Sequence, residues 1–121
     1  MSTALDPEAV VRRFFDVMNT HDPSDLESLF TEDAEIVMGP HVARGLAEIR
    51  EIVLQRAPDL LITSEPTHVD VSGDRVAVSF RRRQVWTESN EPAVEEDLWA
   101  TFALEEGRIE RAELLRAPPH A

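Results

Sequence analysis

The sequence predicts an α+β fold, and three observations carry that reading. Apolar residues recur at three- and four-residue spacing in the first half of the chain, they alternate with polar residues in the second half, and turn signals cut that second half into long strands. Helices followed by a strand meander, rather than an alternation of the two, is the order of an α+β domain. The 121 residues suit one domain. Residues 1–121 read as a single unit with a short polar tail, disordered or extended, from about Ala117.

Asp6-Pro7-Glu8 is a helix start: the Asp carboxylate can accept free amide protons, Pro suits the first helical position and Glu complements the dipole. Val10, Val11, Phe14, Phe15, Val17 and Met18 then share one broad face, with Arg12, Arg13 and Asp16 outside. Asn19 to Asp22 ends the helix. Asp22-Pro23 repeats the start signal for a short second helix with Leu26, Leu29 and Phe30 on its buried side, and the two helices are expected to pack as a hairpin. Glu35 to Met38 reads as a short strand stopped at Gly39-Pro40. Gly45 opens a third helix, with Leu46, Ile49, Ile52 and Val53 on one face and Pro58 closing it just after Arg56. Four strands follow, Leu60 to Val71, Arg75 to Trp86, Pro92 to Leu104 and Arg108 to Arg116, separated by Gly73-Asp74, Thr87 to Glu91 and Glu105-Glu106-Gly107.

Composition removes whole classes of function. A net charge of -12 repels nucleic acid and anionic membrane surfaces at long range. Cys, Tyr and Lys are all absent, which excludes thiol nucleophiles, disulfides, Schiff-base lysines and phenolic acids. Proton transfer is left to Asp, Glu or the four His. His21, His41, His68 and His120 include no pair at metal-ligand spacing, so no metal is expected. Gly39, Gly45, Gly73 and Gly107 all mark turns rather than a phosphate loop. The lack of cysteine, of a basic-then-apolar leader at Met1 to Asp6 and of any long apolar run makes a cytoplasmic, non-membrane protein the expectation.

Pairing the third hairpin across the Thr87 to Glu91 loop sets Phe80 opposite Ala100, Arg82 opposite Leu98, Gln84 opposite Glu96 and Trp86 opposite Val94. On the other face Arg83 meets Asp97 as an ion pair and Arg81 lies on Trp99. Pairing the last hairpin across Glu105-Glu106-Gly107 puts Ala112 beside Ala100, Leu114 beside Leu98 and Arg116 beside Glu96. The first face then has an apolar end, with Val76, Val78 and Phe102, and a polar end that gathers Arg82, Gln84, Glu96, Arg116 and Trp86.

The order of helix, short helix, strand, helix and long sheet resembles the nuclear-transport-factor-2-like fold, in particular its ketosteroid-isomerase and SnoaL-like polyketide-cyclase branches. AVVRRFFDVMNTHDPSDLESLFTEDAEI (residues 9–36) resembles the family's opening helices and first strand, RGLAEIREI (residues 44–52) its third helix, and GRIERAELL (residues 107–115) its closing strand. The resemblance implies a cone of N-terminal helices on a curved, mostly antiparallel sheet, open at one end to a small apolar ligand, free of cofactor and commonly a homodimer. Function does not travel with fold. The isomerases use a Tyr, an Asp base and a protonated Asp, and the matching positions here are Phe14, Met38 and Ala100, none of which can act. Phe30 and Val53 stand where supporting tyrosines are expected. The Arg-x-Asp strand spacing of the related epoxide hydrolases and the tyrosines of scytalone dehydratase are missing as well.

What the resemblance leaves is a SnoaL-like small-molecule enzyme doing cofactor-free acid–base chemistry on an apolar carbonyl compound, or a ligand-binding or assembly module on the same fold. Glu96 is the candidate base, and the alternative is a structural Glu–Arg pair at the sheet rim. His41, beside Gly39-Pro40, is a candidate proton shuttle or an exposed loop histidine. Arg82 and Arg116 suit a ligand carboxylate, phenolate or enolate, or else pair internally with Glu65 or Glu96. Gln84 joins this polar rim, and Phe14, Met18, Met38, Phe80, Trp86, Ala100 and Leu114 are the candidate substrate-binding walls, against a plain core role.

Overall fold

Helix α1 (Pro7–Thr20) starts where the Asp6 carboxylate accepts the Glu8 amide at 3.2 Å, and it ends at His21, whose φ of 56° turns the chain out of the helix. The structure, a computed structural model, describes residues 6–55, 58–89 and 91–118. The leader reading at Met1–Leu5, Arg56 and His120 lie outside them. After α1 come α2 (Leu26–Leu29), β1 (Phe30–Met38), β2 (His41–Arg44), α3 (Gly45–Leu54), β3 (Leu60–Ser72), β4 (Arg75–Trp86), β5 (Val94–Glu105) and β6 (Arg108–Leu115). The strands form one sheet in the order β2-β1-β6-β5-β4-β3, antiparallel throughout except for the β1–β6 pair. Three helices on a six-stranded, mostly antiparallel sheet is the expected α+β architecture. Among the described residues no helix is long and apolar enough to cross a membrane.

The first half departs from the sequence reading in three places. Helix α2 is a single turn capped by Asp25, not a helix from Asp22-Pro23. Arg13 ties that turn to α1 through a 2.5 Å ion pair with Asp25. Phe30 is already extended and pairs with Ile109, so β1 begins before Glu35, and an irregularity between Phe30 and Glu35 breaks the period-two pattern that would have revealed it. His41 is the first residue of β2 rather than a loop residue, paired with Met38 across Gly39-Pro40. Gly39 holds φ 59° there, which a side chain rarely tolerates.

The four long strands fall within a residue or two of their expected bounds, and both hairpin registers differ from expectation by two residues. Arg82 faces Glu96, Phe80 faces Leu98 and Gln84 faces Val94. The strands thus pair about Ser89, whereas the expected partners place the midpoint one position later. Trp86 is held by β3, opposite Leu60, and the Thr87 amide donates to the Asp59 carbonyl at 3.0 Å, so β4 outruns β5. In the last hairpin a two-residue turn, with Glu106 at φ 52° and Gly107 at φ 80°, joins Glu105 to its partner Arg108. A register shift between Ala103 and Leu104 then sets Ala112 against Phe102 and Leu114 against Ala100. A two-residue change keeps every side chain on its face. On the outer face it alters the pairs: Arg81, not Arg83, bonds Asp97 at 3.2 Å, and Trp99 faces Ser79 rather than Arg81.

The core lies between α1 and the concave sheet face. Phe14 meets Phe102 and Phe15 meets Phe80, each pair with centroids 5.1 Å apart in tilted or edge-on geometry. Burial is nearly complete along the Val76–Phe102–Ala112 row and at Val78–Ala100, whose row ends at partly buried Leu114, holds at Phe80–Leu98, and ends at Arg82–Glu96.

Candidate functional site

Where α1 stops covering the sheet, a cavity of about 570 Å³ opens. Helix α1 supplies Phe14, Phe15 and Met18, the sheet supplies Phe80, Leu98 and Leu114, and the β1–β2 turn adds Met38, Gly39 and Pro40. Leu115 completes the apolar lining, and the polar lining consists of Ser64, Arg82 and Arg116. This volume suits a small organic molecule.

Period two explains the arginines. Arg82 follows Val76, Val78 and Phe80 on the inner face of β4, one row beyond the point where the core ends. Its Nη2 donates to Glu96 Oε2, and Arg116 Nη1 donates to Glu96 Oε1 at 3.3 Å. Each carboxylate oxygen therefore carries one guanidinium. Arg82 is the fixed member, with 26% of its side chain exposed, while Arg116, just past β6, is 78% exposed. The hydrogen bond and charge of Arg82, helped by Arg116, hold the Glu96 carboxyl below its usual range. Arg82 Nε is buried without an acceptor.

Of the residues singled out in the sequence, Phe14, Met18, Met38, Phe80, Leu114, Arg82 and Arg116 line this cavity. Glu96 does not line it but stands against both arginines that do. Four others lie off the lining. Ala100 is fully buried one row deeper, between Val78 and Leu114. Gln84 and Trp86 sit past the Arg82 row, opposite Val94 and Leu60. His41 is exposed on β2, across the turn from Met38. The two-residue register difference accounts for Gln84, which yields its place beside Glu96 to Arg82.

The lining residues not singled out in the sequence are Phe15, Ser64, Leu98, Leu115 and the turn residues Gly39 and Pro40. Phe15 and Leu98 carried a signal, since both fall on inner faces of their elements. Ser64 carried none, because its place depends on Asn19. The Asn19 side chain donates to the Ser64 carbonyl at 2.7 Å and accepts the Ser64 amide at 2.8 Å, binding the end of α1 to β3 as a strand partner would. Among the described residues no group of three His, Asp or Glu side chains is placed to hold a metal ion. One histidine is engaged elsewhere, His21 Nδ1 lying 2.9 Å from the Val53 carbonyl at the end of α3.

The family profile of the SnoaL-like domain matches residues 11–112. No curated protein matches the sequence. Among solved structures, a protein designated a SnoaL-like polyketide cyclase from Jannaschia sp. CCS1 is similar with a TM-score of 0.77 at 16% identity, covering 98% of each chain. An LEH-like epoxide hydrolase from M. tuberculosis gives a TM-score of 0.73 at 13% identity, over 89% of this chain and 76% of that one. TerC, co-crystallised with polyporic acid, gives 0.75 at 19% identity, over 90% and 89%. At these identities the likeness is one of fold. With its helices on a curved sheet and a family match over most of its length, the chain has the nuclear-transport-factor-2-like fold and belongs to the SnoaL-like domain family.

Proposed function

We propose that this chain is a small-molecule enzyme performing cofactor-free acid–base chemistry, of an isomerase, cyclase or hydrolase kind, on an apolar carbonyl compound held in the cavity. The observation that carries this reading is the Arg82–Glu96–Arg116 cluster beside an otherwise apolar cavity. Among the described residues Glu96 is the one carboxylate joined to the cavity's charged lining. In this scheme it takes a proton from the carbon next to the carbonyl. The C–H electron pair becomes the carbon–carbon double bond as the carbonyl π pair moves onto oxygen, and the arginines hold the resulting enolate. Returning the proton from Glu96 to a different carbon isomerises the substrate, whereas attack by the enolate carbon on a second carbonyl, whose oxygen takes that proton, closes a ring. A carboxylate held below its usual range is ionised at neutral pH but is a weak base, so the scheme fits a C–H made acidic by two flanking carbonyls. His41, exposed on β2, has no part in it.

The test is exchange of the acidic C–H of a cyclic β-diketone with deuterated water, followed by NMR. Exchange above background that falls about a hundredfold or more in Glu96→Gln supports the reading. The second reading is a ligand-binding module without turnover. It is favoured by the engagement of both Glu96 oxygens and by the lack of any carboxylate or histidine in the described lining. Binding of the diketone with no exchange selects it.

We also propose a homodimer through the outer sheet face. Half-buried Trp99 lies there beside small Ala77 and Ser79, within a field that carries both signs of charge, among them Arg81, Glu95 and Asp97. Such a surface can meet a second copy of itself.

A further inference from the structure

We infer that the cavity's natural ligand enters already ionised, as an organic monoanion: an apolar body bearing one carboxylate or acidic phenolate, seated against Arg82 and Arg116. The inference rests on the reading of this cavity as the ligand site. Its first support is a charge count. Arg82 and Arg116 are the charged residues in the described lining, and Glu96 offsets one of them, which leaves a single positive charge at one side of an apolar cavity. A neutral ligand leaves that charge unmatched as it displaces water, and a dianion overshoots it inside a chain whose net charge is already -12.

Unused donors are the second support. Each guanidinium bonds Glu96 through a single Nη, Arg82 through Nη2 and Arg116 through Nη1, although each has five N–H groups. Arg82 Nε is shut away from water with no acceptor, so its guanidinium is under-satisfied where it stands. One oxyanion with two lone-pair-bearing oxygens, or a phenolate beside a carbonyl, matches the free edges of two neighbouring guanidinium groups. The third support is the contrast in exposure. Arg82 is held by the sheet at 26% exposed, whereas Arg116 is 78% exposed and free to close on a ligand.

Calorimetric titration with naphthoate, its neutral isostere naphthamide and naphthalene dicarboxylate separates this inference from the reading beneath it. The expected result is that naphthoate binds about ten- to a hundredfold more tightly than naphthamide and more tightly than the dicarboxylate. Arg116→Gln should abolish most of that preference by weakening naphthoate far more than naphthamide, and the high exposure of Arg116 makes its replacement harmless to folding. Equal affinity for naphthoate and naphthamide overturns the monoanion inference and leaves the apolar cavity reading standing. A preference that survives both Arg116→Gln and Arg82→Gln overturns it too, since the anion then sits elsewhere. Absence of binding by all three probes overturns both.

Discussion

Arg82 and Glu96 are facing partners on β4 and β5, and the pair stands in the first row of the concave sheet face beyond the buried core. That position gives it two roles. Toward the core it is backed by Phe80 and Leu98, and toward solvent it is the charged side of the cavity. An ion pair this exposed adds little to folding. Its chemistry lies in the lining it creates, where two arginines share one carboxylate and keep donors to spare.

The first prediction concerns how the cavity is held open. Asn19→Ala removes both bonds to Ser64 and leaves part-buried backbone groups of β3 without partners. The expected loss is about 1–3 kcal/mol in denaturant unfolding. A variant as stable as the parent would show that α1 does not need this clamp.

Acid should weaken the fold through Glu96 in a definite direction. Its folded pKa is depressed by Arg82 first and Arg116 second, so the stabilisation is complete above the ordinary Glu value of 4.5 and is lost as pH falls below that through the folded value. The Asp25 carboxyl, depressed by its bonds to Ser28 and Arg13, acts in the same sense. Glu96→Gln should therefore make the acid limb of a stability–pH profile shallower. An unchanged limb would mean that Glu96 is not paired in solution.

No double-bond isomerisation of steroid ketones above background is expected. Phe14 and Met38 stand on the cavity wall and Ala100 in the core behind it, at the positions matched to the isomerase residues, and none can donate or accept a proton. Each lost oxyanion donor is worth about a hundredfold or more in rate. Turnover at isomerase-like rates in a spectrophotometric assay would require machinery that these residues do not contain.

For the outer face, light scattering at tens of micromolar, roughly the range in which a micromolar dimer is filled, should give twice the chain mass. Trp99→Glu should shift the protein to monomer with its circular dichroism unchanged. A parent monomer at that concentration would remove the dimer proposal and leave the cavity argument untouched.

The sequence made the long strands legible because β4 and β5 keep period two, β6 breaks it only between buried Ile109 and Ala112, and unambiguous turns divide the three. It hid the beginning of β1, where Thr31, Glu32 and Asp33 separate the inward residues Phe30 and Ala34 and an irregular register breaks the alternation. It hid β2 because four residues are too few to show a period. Facing partners were harder to read than faces. A hairpin register depends on which strand outruns the other, and Trp86 was drawn past the end of β5 by β3, a neighbour that local spacing does not reveal. Parity survived that difference, which is why Arg82, Glu96 and Arg116 meet: the expected Glu96–Arg116 contact forms as an ion pair, and only the β4 partner of Glu96 differs, Arg82 instead of Gln84. Ser64 was out of reach for the same reason, since its partner Asn19 lies 45 residues away in sequence.

A crystal structure of the chain with a bound planar aromatic acid such as naphthoate tests the central claim most directly. The ring is expected between Phe14, Met18 and Leu114, with the carboxylate within hydrogen-bond reach of Arg82 or Arg116. A probe lodged instead in the groove beside His21 and Leu61, or on the outer face at Trp99, with the main cavity closed by its own side chains, would contradict it.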